Sequence, residues 1–172
     1  MLRSSFARQV LVLPHNIDEE VNMPIANVNG IMLNYRFDGP EKGDVIMFSN
    51  SLASDLTMWD YQIPPLSKAG YRILRYDSRG HGGSSVPPGP YTMETLTSDV
   101  MALIDYLGLN QVHFCGLSLG GMVGQMLGAL HGKRLLSLIL CDTSPIWHSG
   151  EYGTNALRWS AGPAWKGWSM PQ

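Results

Sequence analysis

The stretch QVHFCGLSLGGMVGQMLGALHG, residues 111–132, constrains the fold more than any other part of the chain. It opens with a short apolar run of the length of a buried strand, and from Leu119 onward the pattern is helical, so almost nothing separates strand from helix. A chain that reverses so abruptly lays the helix back across the strand it has just left, which is the repeating unit of a parallel sheet. The reversal is made by Gly116-Leu117-Ser118-Leu119-Gly120, a serine between two glycines. A serine on so sharp a turn sits in a strained backbone conformation, and small flanking residues keep side chains off the neighbouring strand and helix. Gly120, Gly121, Gly124 and Gly128 let the helix lie close to the sheet.

The rest of the chain supplies the partners that such a unit needs. Residues 23–40 read as two short strands around the Asn29-Gly30 turn, a strong hairpin signal. Residues 44–50 and 71–77 are apolar runs of strand length, and between them Trp59, Ile63 and Leu66 recur at helical spacing up to Gly70. From Thr92 to Leu107, apolar residues at Leu96, Val100, Leu103, Ile104 and Leu107 predict a helix capped by Thr92 and stopped at Gly108. Residues 134–142, RLLSLILCD, are a sixth strand. This alternation implies an α/β architecture: an open, mostly parallel sheet with helices on both faces. Ligands of such sheets bind beyond the carboxyl ends of the strands.

Composition bears mainly on what to exclude. A formal charge of -2, from 12 basic and 14 acidic side chains without blocks, gives no reason to expect nucleic acid or an anionic membrane as partner. No stretch approaches the roughly 18 apolar residues of a transmembrane helix. Cys115 and Cys141 each end an apolar run and read as buried, reduced thiols; with no clustered His/Cys set, neither metal nor cofactor is expected. The first strand-to-helix connection lacks G-x-G-x-x-G, which argues against a nucleotide-binding protein.

The ends differ from the middle. Residues 1–22 carry Arg3 and Arg8 and no acid before Asp18, a composition that suits either a mitochondrial targeting segment or a disordered extension. The chain is expected in the cytoplasm unless that segment serves as a mitochondrial address. Residues 144–172 form an atypical tail: four of the five tryptophans fall there, without strand or helix periodicity.

Gly116-Leu117-Ser118-Leu119-Gly120 also matches G-x-S-x-G between a strand and a helix, the context in which this motif exposes a serine hydroxyl above a sheet. The helix N-terminus behind the serine favours developing negative charge. With RYDSRGHGGS (75–84) and SNSLASDLTMWDYQIPPLS (49–67), the segment resembles the α/β-hydrolase fold family, and most closely the 3-oxoadipate enol-lactonases, over residues 23–143. The resemblance implies that Ser118 is a nucleophile attacking a lactone or ester carbonyl, with the backbone N–H groups of Leu52 and Leu119 as oxyanion hole. Asn50-Ser51-Leu52 stands where many relatives have His-Gly-x, and the turn bearing His81 is implied to be structural.

The same family's chain order is serine, then acid, then histidine, with the histidine far downstream after two further strands and a helical cap placed after the sixth strand. None of these is identified after residue 143, so the fold is expected to be incomplete, lacking its last two strands and cap. A serine without a positioned base is a weak nucleophile. Asp142 and His148 are the local candidates to substitute for the acid and base; the alternative is that Asp142 caps the next turn and His148 is a surface or packing residue. His131 lies about 19 Å along the helix from Ser118, His113 is mid-strand, and His15 is in the extension. Two readings remain: a serine-dependent ester or lactone hydrolase, or a non-catalytic remnant that binds a small molecule or a partner chain. The sixth strand is expected to be an exposed apolar edge, open to pairing with a second copy, and Leu138→Lys is expected to raise solubility.

Overall fold

Asn29 and Gly30 both adopt positive φ, 48° and 72°, and fold β1 (Ile25–Val28) back antiparallel onto β2 (Ile31–Asp38), as the dipeptide predicts. The computed structural model describes residues 24–144. The N-terminal segment 1–22, with His15, and the tail after Ser144, with His148, lie outside the described residues.

Four further strands complete a six-stranded sheet in the order β1-β2-β4-β3-β5-β6. They are β3 (Val45–Ser49), β4 (Arg72–Tyr76), β5 (Val112–Leu117) and β6 (Leu135–Cys141). β4, β3, β5 and β6 run parallel, whereas β2 joins β4 antiparallel. The sheet is therefore mostly parallel, and its central strands are continuous apolar runs because both faces are covered.

One face carries α2 (Met93–Tyr106) and α3 (Leu119–His131), packed over Met47, Leu74 and Phe114. Thr92 caps α2 by accepting the Thr95 N–H at 3.2 Å, and Gly108 takes φ 65° just past its end. On the other face, Trp59, Ile63 and Leu66 pack against Ile46, Phe48, Ile73 and Cys115. Here the expected continuous helix is broken into a 3-10 segment (Leu56–Gln62) and α1 (Ile63–Lys68). Pro64 and Pro65 at the start of α1 cannot donate backbone hydrogen bonds to the preceding turn, so the α-helical ladder starts anew there.

β6 pairs with β5 alone among the described residues. Leu136, Ile139 and Leu140 are 45%, 47% and 42% exposed. Leu138 differs from them: it packs toward α3, so close that a Cβ added at Gly124 or Gly128 would lie 3.1 Å from its side chain. Lysine at 138 would bury a charge against α3, so the solubility test belongs at the exposed positions instead.

Candidate active site

Ser118 joins β5 to α3 with φ 53° and ψ -111°, a left-handed conformation that costs a non-glycine residue about 1–3 kcal/mol. The turn is held from three sides. The Ser118 N–H donates to the Cys141 carbonyl at 3.0 Å, the Gly120 N–H to the Asn50 carbonyl at 3.0 Å, and Thr143 Oγ1 to the Ser118 carbonyl at 2.8 Å. A Cβ on Gly116 would overlap the Gly120 carbonyl, and one on Gly120 the Ser49 carbonyl. Both flanking glycines are thus required by backbone passing against backbone. Ser118 is partly exposed, and its Oγ has no hydrogen-bond partner among the described residues.

Leu119 is the first residue of α3, so its N–H has no acceptor within the helix. The other expected donor, Leu52, lies in the loop after β3, with its side chain packed on the α2/α3 core. That loop is built on Asn50. Its Oδ1 accepts the Trp59 Nε1–H at 2.8 Å, and its Nδ2 donates to the Tyr76 carbonyl at 2.9 Å. With the Gly120 N–H on its own carbonyl, Asn50 ties together β3, β4, the 3-10 segment and the serine turn. Sequence reading missed this role, because an asparagine ending a strand carries no local sign of partners so far along the chain.

The turn after β4 braces the loop from the opposite side. Asp77 Oδ1 accepts the Leu56 N–H at 2.7 Å, while Oδ2 accepts Asn34 Nδ2 at 2.7 Å and the Gly83 N–H at 2.9 Å. Arg79 forms a two-pronged ion pair with Asp99 of α2, at 2.5 and 2.6 Å. His81 is buried; its Nε2 accepts the Ala53 N–H at 3.2 Å, and its Nδ1 lies 3.1 Å from the Arg79 carbonyl. Burial pushes the His81 pKa below the ordinary histidine value, outweighing the backbone acceptor of Arg79 and the charge of Asp77.

The remaining candidates separate clearly. Asp142 lies between two residues that touch the Ser118 backbone, is exposed, and has φ 40°. It borders an open cavity with Gln125, Leu140 and Thr143. His148 lies outside the described residues, so no geometry links it to Ser118. His113 is engaged by Ser137 at 2.8 Å and Tyr71, and His131 ends α3. Cys115 and Cys141 are free thiols beside each other, and burial pushes Cys115 up to about 12, far from a reactive thiolate. Among the described residues no three His, Cys, Asp or Glu side chains cluster to hold a metal, and no helix is long and apolar enough to cross a membrane.

Known proteins share this fold. A family model described as the alpha/beta hydrolase fold matches residues 44–167. 3-Oxoadipate enol-lactonase 2 of Acinetobacter baylyi is 41% identical over 114 residues, covering 66% of this chain and 42% of that protein. 3-Oxoadipate enol-lactonase 1 of the same organism is 39% identical over 133 residues, covering 77% and 48%. The crystal structure of the enol-lactonase from Burkholderia xenovorans LB400 superposes with a TM-score of 0.69 at 50% identity, over 70% of this chain and 47% of that one. The chain spans about half the length of the relatives it matches. A strained serine between two obligatory glycines, on a mostly parallel sheet in the order 1-2-4-3-5-6, agrees with the family match, and the chain belongs to the α/β-hydrolase fold family.

Proposed function

We propose that this chain carries the nucleophile half of a serine hydrolase acting on small carboxylic esters or lactones, with residues 23–143 as its hydrolase core. The observation that carries the reading is the backbone of Ser118: positive φ at a strand-to-helix turn, an Oγ without a hydrogen-bond partner among the described residues, and the Leu119 N–H beside it. In the reaction the Ser118 oxygen bonds to the substrate carbonyl carbon as its proton passes to a base. The resulting oxyanion is stabilised by the N–H groups of Leu52 and Leu119 and by the positive end of α3. Collapse breaks the carbon–oxygen bond to the leaving alcohol, which in a lactone stays tethered, and water then releases the acid from the acyl-enzyme. The names of the enol-lactonase relatives support the lactone class.

We assign no base among residues 24–144. His81 is engaged by the loop, His113 by Ser137, and His131 lies at the far end of α3. Within the sequence, His148 with Asp142 is the pair left to propose. Without that pair acting as acid and base, the second reading holds, a hydrolase-like chain that binds its ligand without turnover. Reaction of the 172-residue chain with a fluorophosphonate, mapped by peptide mass, separates the two. A Ser118 adduct that disappears in His148→Ala supports the enzyme with that base; an unlabelled Ser118 leaves a binding protein.

A further inference from the structure

Ala53 holds φ 64° in the loop that follows β3, a left-handed conformation with no glycine to relieve it. Such a residue persists only where its surroundings fix it. Around it, Ser54 Oγ closes on the Ser51 carbonyl at 2.8 Å, and the Leu56 N–H is fixed by Asp77. The Ala53 N–H itself is held by His81, from a turn 28 residues later in the chain.

We propose that His81 is a positioning residue for the oxyanion loop: by accepting the Ala53 N–H at Nε2 it fixes the Leu52–Ala53 peptide and, through it, the direction of the Leu52 N–H. The inference rests on the reading of Leu52 as an oxyanion donor. The Arg79 and Ala53 contacts of the ring fix its tautomer. The Arg79 carbonyl can only accept, so Nδ1 carries the proton, and Nε2 is left with the lone pair that Ala53 needs. A second proton could only go to Nε2, where it would confront the Ala53 N–H donor to donor. The latch therefore works only while His81 is neutral.

Burial favours that state, and the charged groups of the surrounding elements oppose it only weakly. Asp77, at the end of β4, draws a proton toward His81, but its carboxylate is already engaged by three donors. Arg79, in the same turn, is neutralised by Asp99 of α2. Asp55, on the loop, is bound to Thr57. Burial outweighs Asp77, in keeping with a ring kept neutral below the ordinary histidine range. Stability from the latch is thus complete above the ordinary histidine value of 6.5 and is lost as the pH falls through the lower folded value.

The test is residue-resolved amide exchange of the full chain, read as protection of Ala53 and Leu52 against pH, in the native protein, His81→Gln and His81→Phe. Glutamine keeps an acceptor without a titration; phenylalanine keeps the ring shape without the acceptor. Native protection of Ala53 should fall about 5- to 10-fold on acidification below the ordinary histidine range. His81→Gln should hold it nearly flat, and His81→Phe should lose it throughout. Where hydrolysis is measured, His81→Phe should lower kcat about 10-fold with little change in KM. Protection that ignores both pH and the His81→Phe change overturns the proposal. Should His81→Phe fail to fold, the native profile against His81→Gln decides alone. Labelling of Ser118 with a loop indifferent to His81 sinks only the latch. A His81-dependent loop around an unreactive Ser118 sinks only the serine-hydrolase reading.

Discussion

β3 and β6 look alike as sequence, VIMFS and LLSLILC, yet every residue of β3 is buried and none of β6 is fully so. β3 lies between β4 and β5 with helices on both faces, whereas β6 has a single partner among the described residues. An apolar run expresses a demand for burial, and its neighbours decide whether the demand is met. The serine turn stands on both regions. Its Gly120 N–H is anchored at the end of β3 and its Ser118 N–H at the end of β6. Half of the candidate site thus rests on a closed core and half on an open edge.

The contrast can be broken most severely on the closed side. Gly120→Ala forces a methyl group into the Ser49 carbonyl, where backbone must move, and should cost more than about 3 kcal/mol in urea unfolding. Asn50→Ala should cost about 2 kcal/mol by the same measurement, because it strands the buried Trp59 indole N–H. On the open side the expected effect is the smallest. Ile139→Lys should change stability by less than about 0.5 kcal/mol while raising solubility. A loss above about 2 kcal/mol there would show that residues outside 24–144 cover this face. Sedimentation of the same variant reads whether β6 pairs with a second copy of the chain.

What was legible in the sequence was local. Asn29-Gly30 demands a hairpin, Thr92 caps the helix that follows it, and a serine between glycines after a strand demands the sharp turn. Features built from distant residues were not legible. Nothing near Asn50 announces that its amide will join Trp59 to Tyr76, nor does His81 signal that it will hold Ala53. The inward turn of Leu138 was misjudged for a related reason. A run apolar at nearly every position has no alternation to tell its faces apart, and the register of β6 shifts against β5 between Val112 and His113. The 3-10 segment depends on Asp55 accepting the Thr57 N–H and on the two prolines behind it, signals too short for helical periodicity to register.

The central claim is that Ser118 is a nucleophile, and the direct measurement is ester and lactone hydrolysis by the native chain and by Ser118→Ala, with far-ultraviolet circular dichroism on both. The account predicts native hydrolysis, its loss in Ser118→Ala and superimposable spectra, because the Oγ makes no hydrogen bond within residues 24–144 that the fold would miss. Hydrolysis unchanged in Ser118→Ala, or absent from the correctly folded native chain, would contradict it.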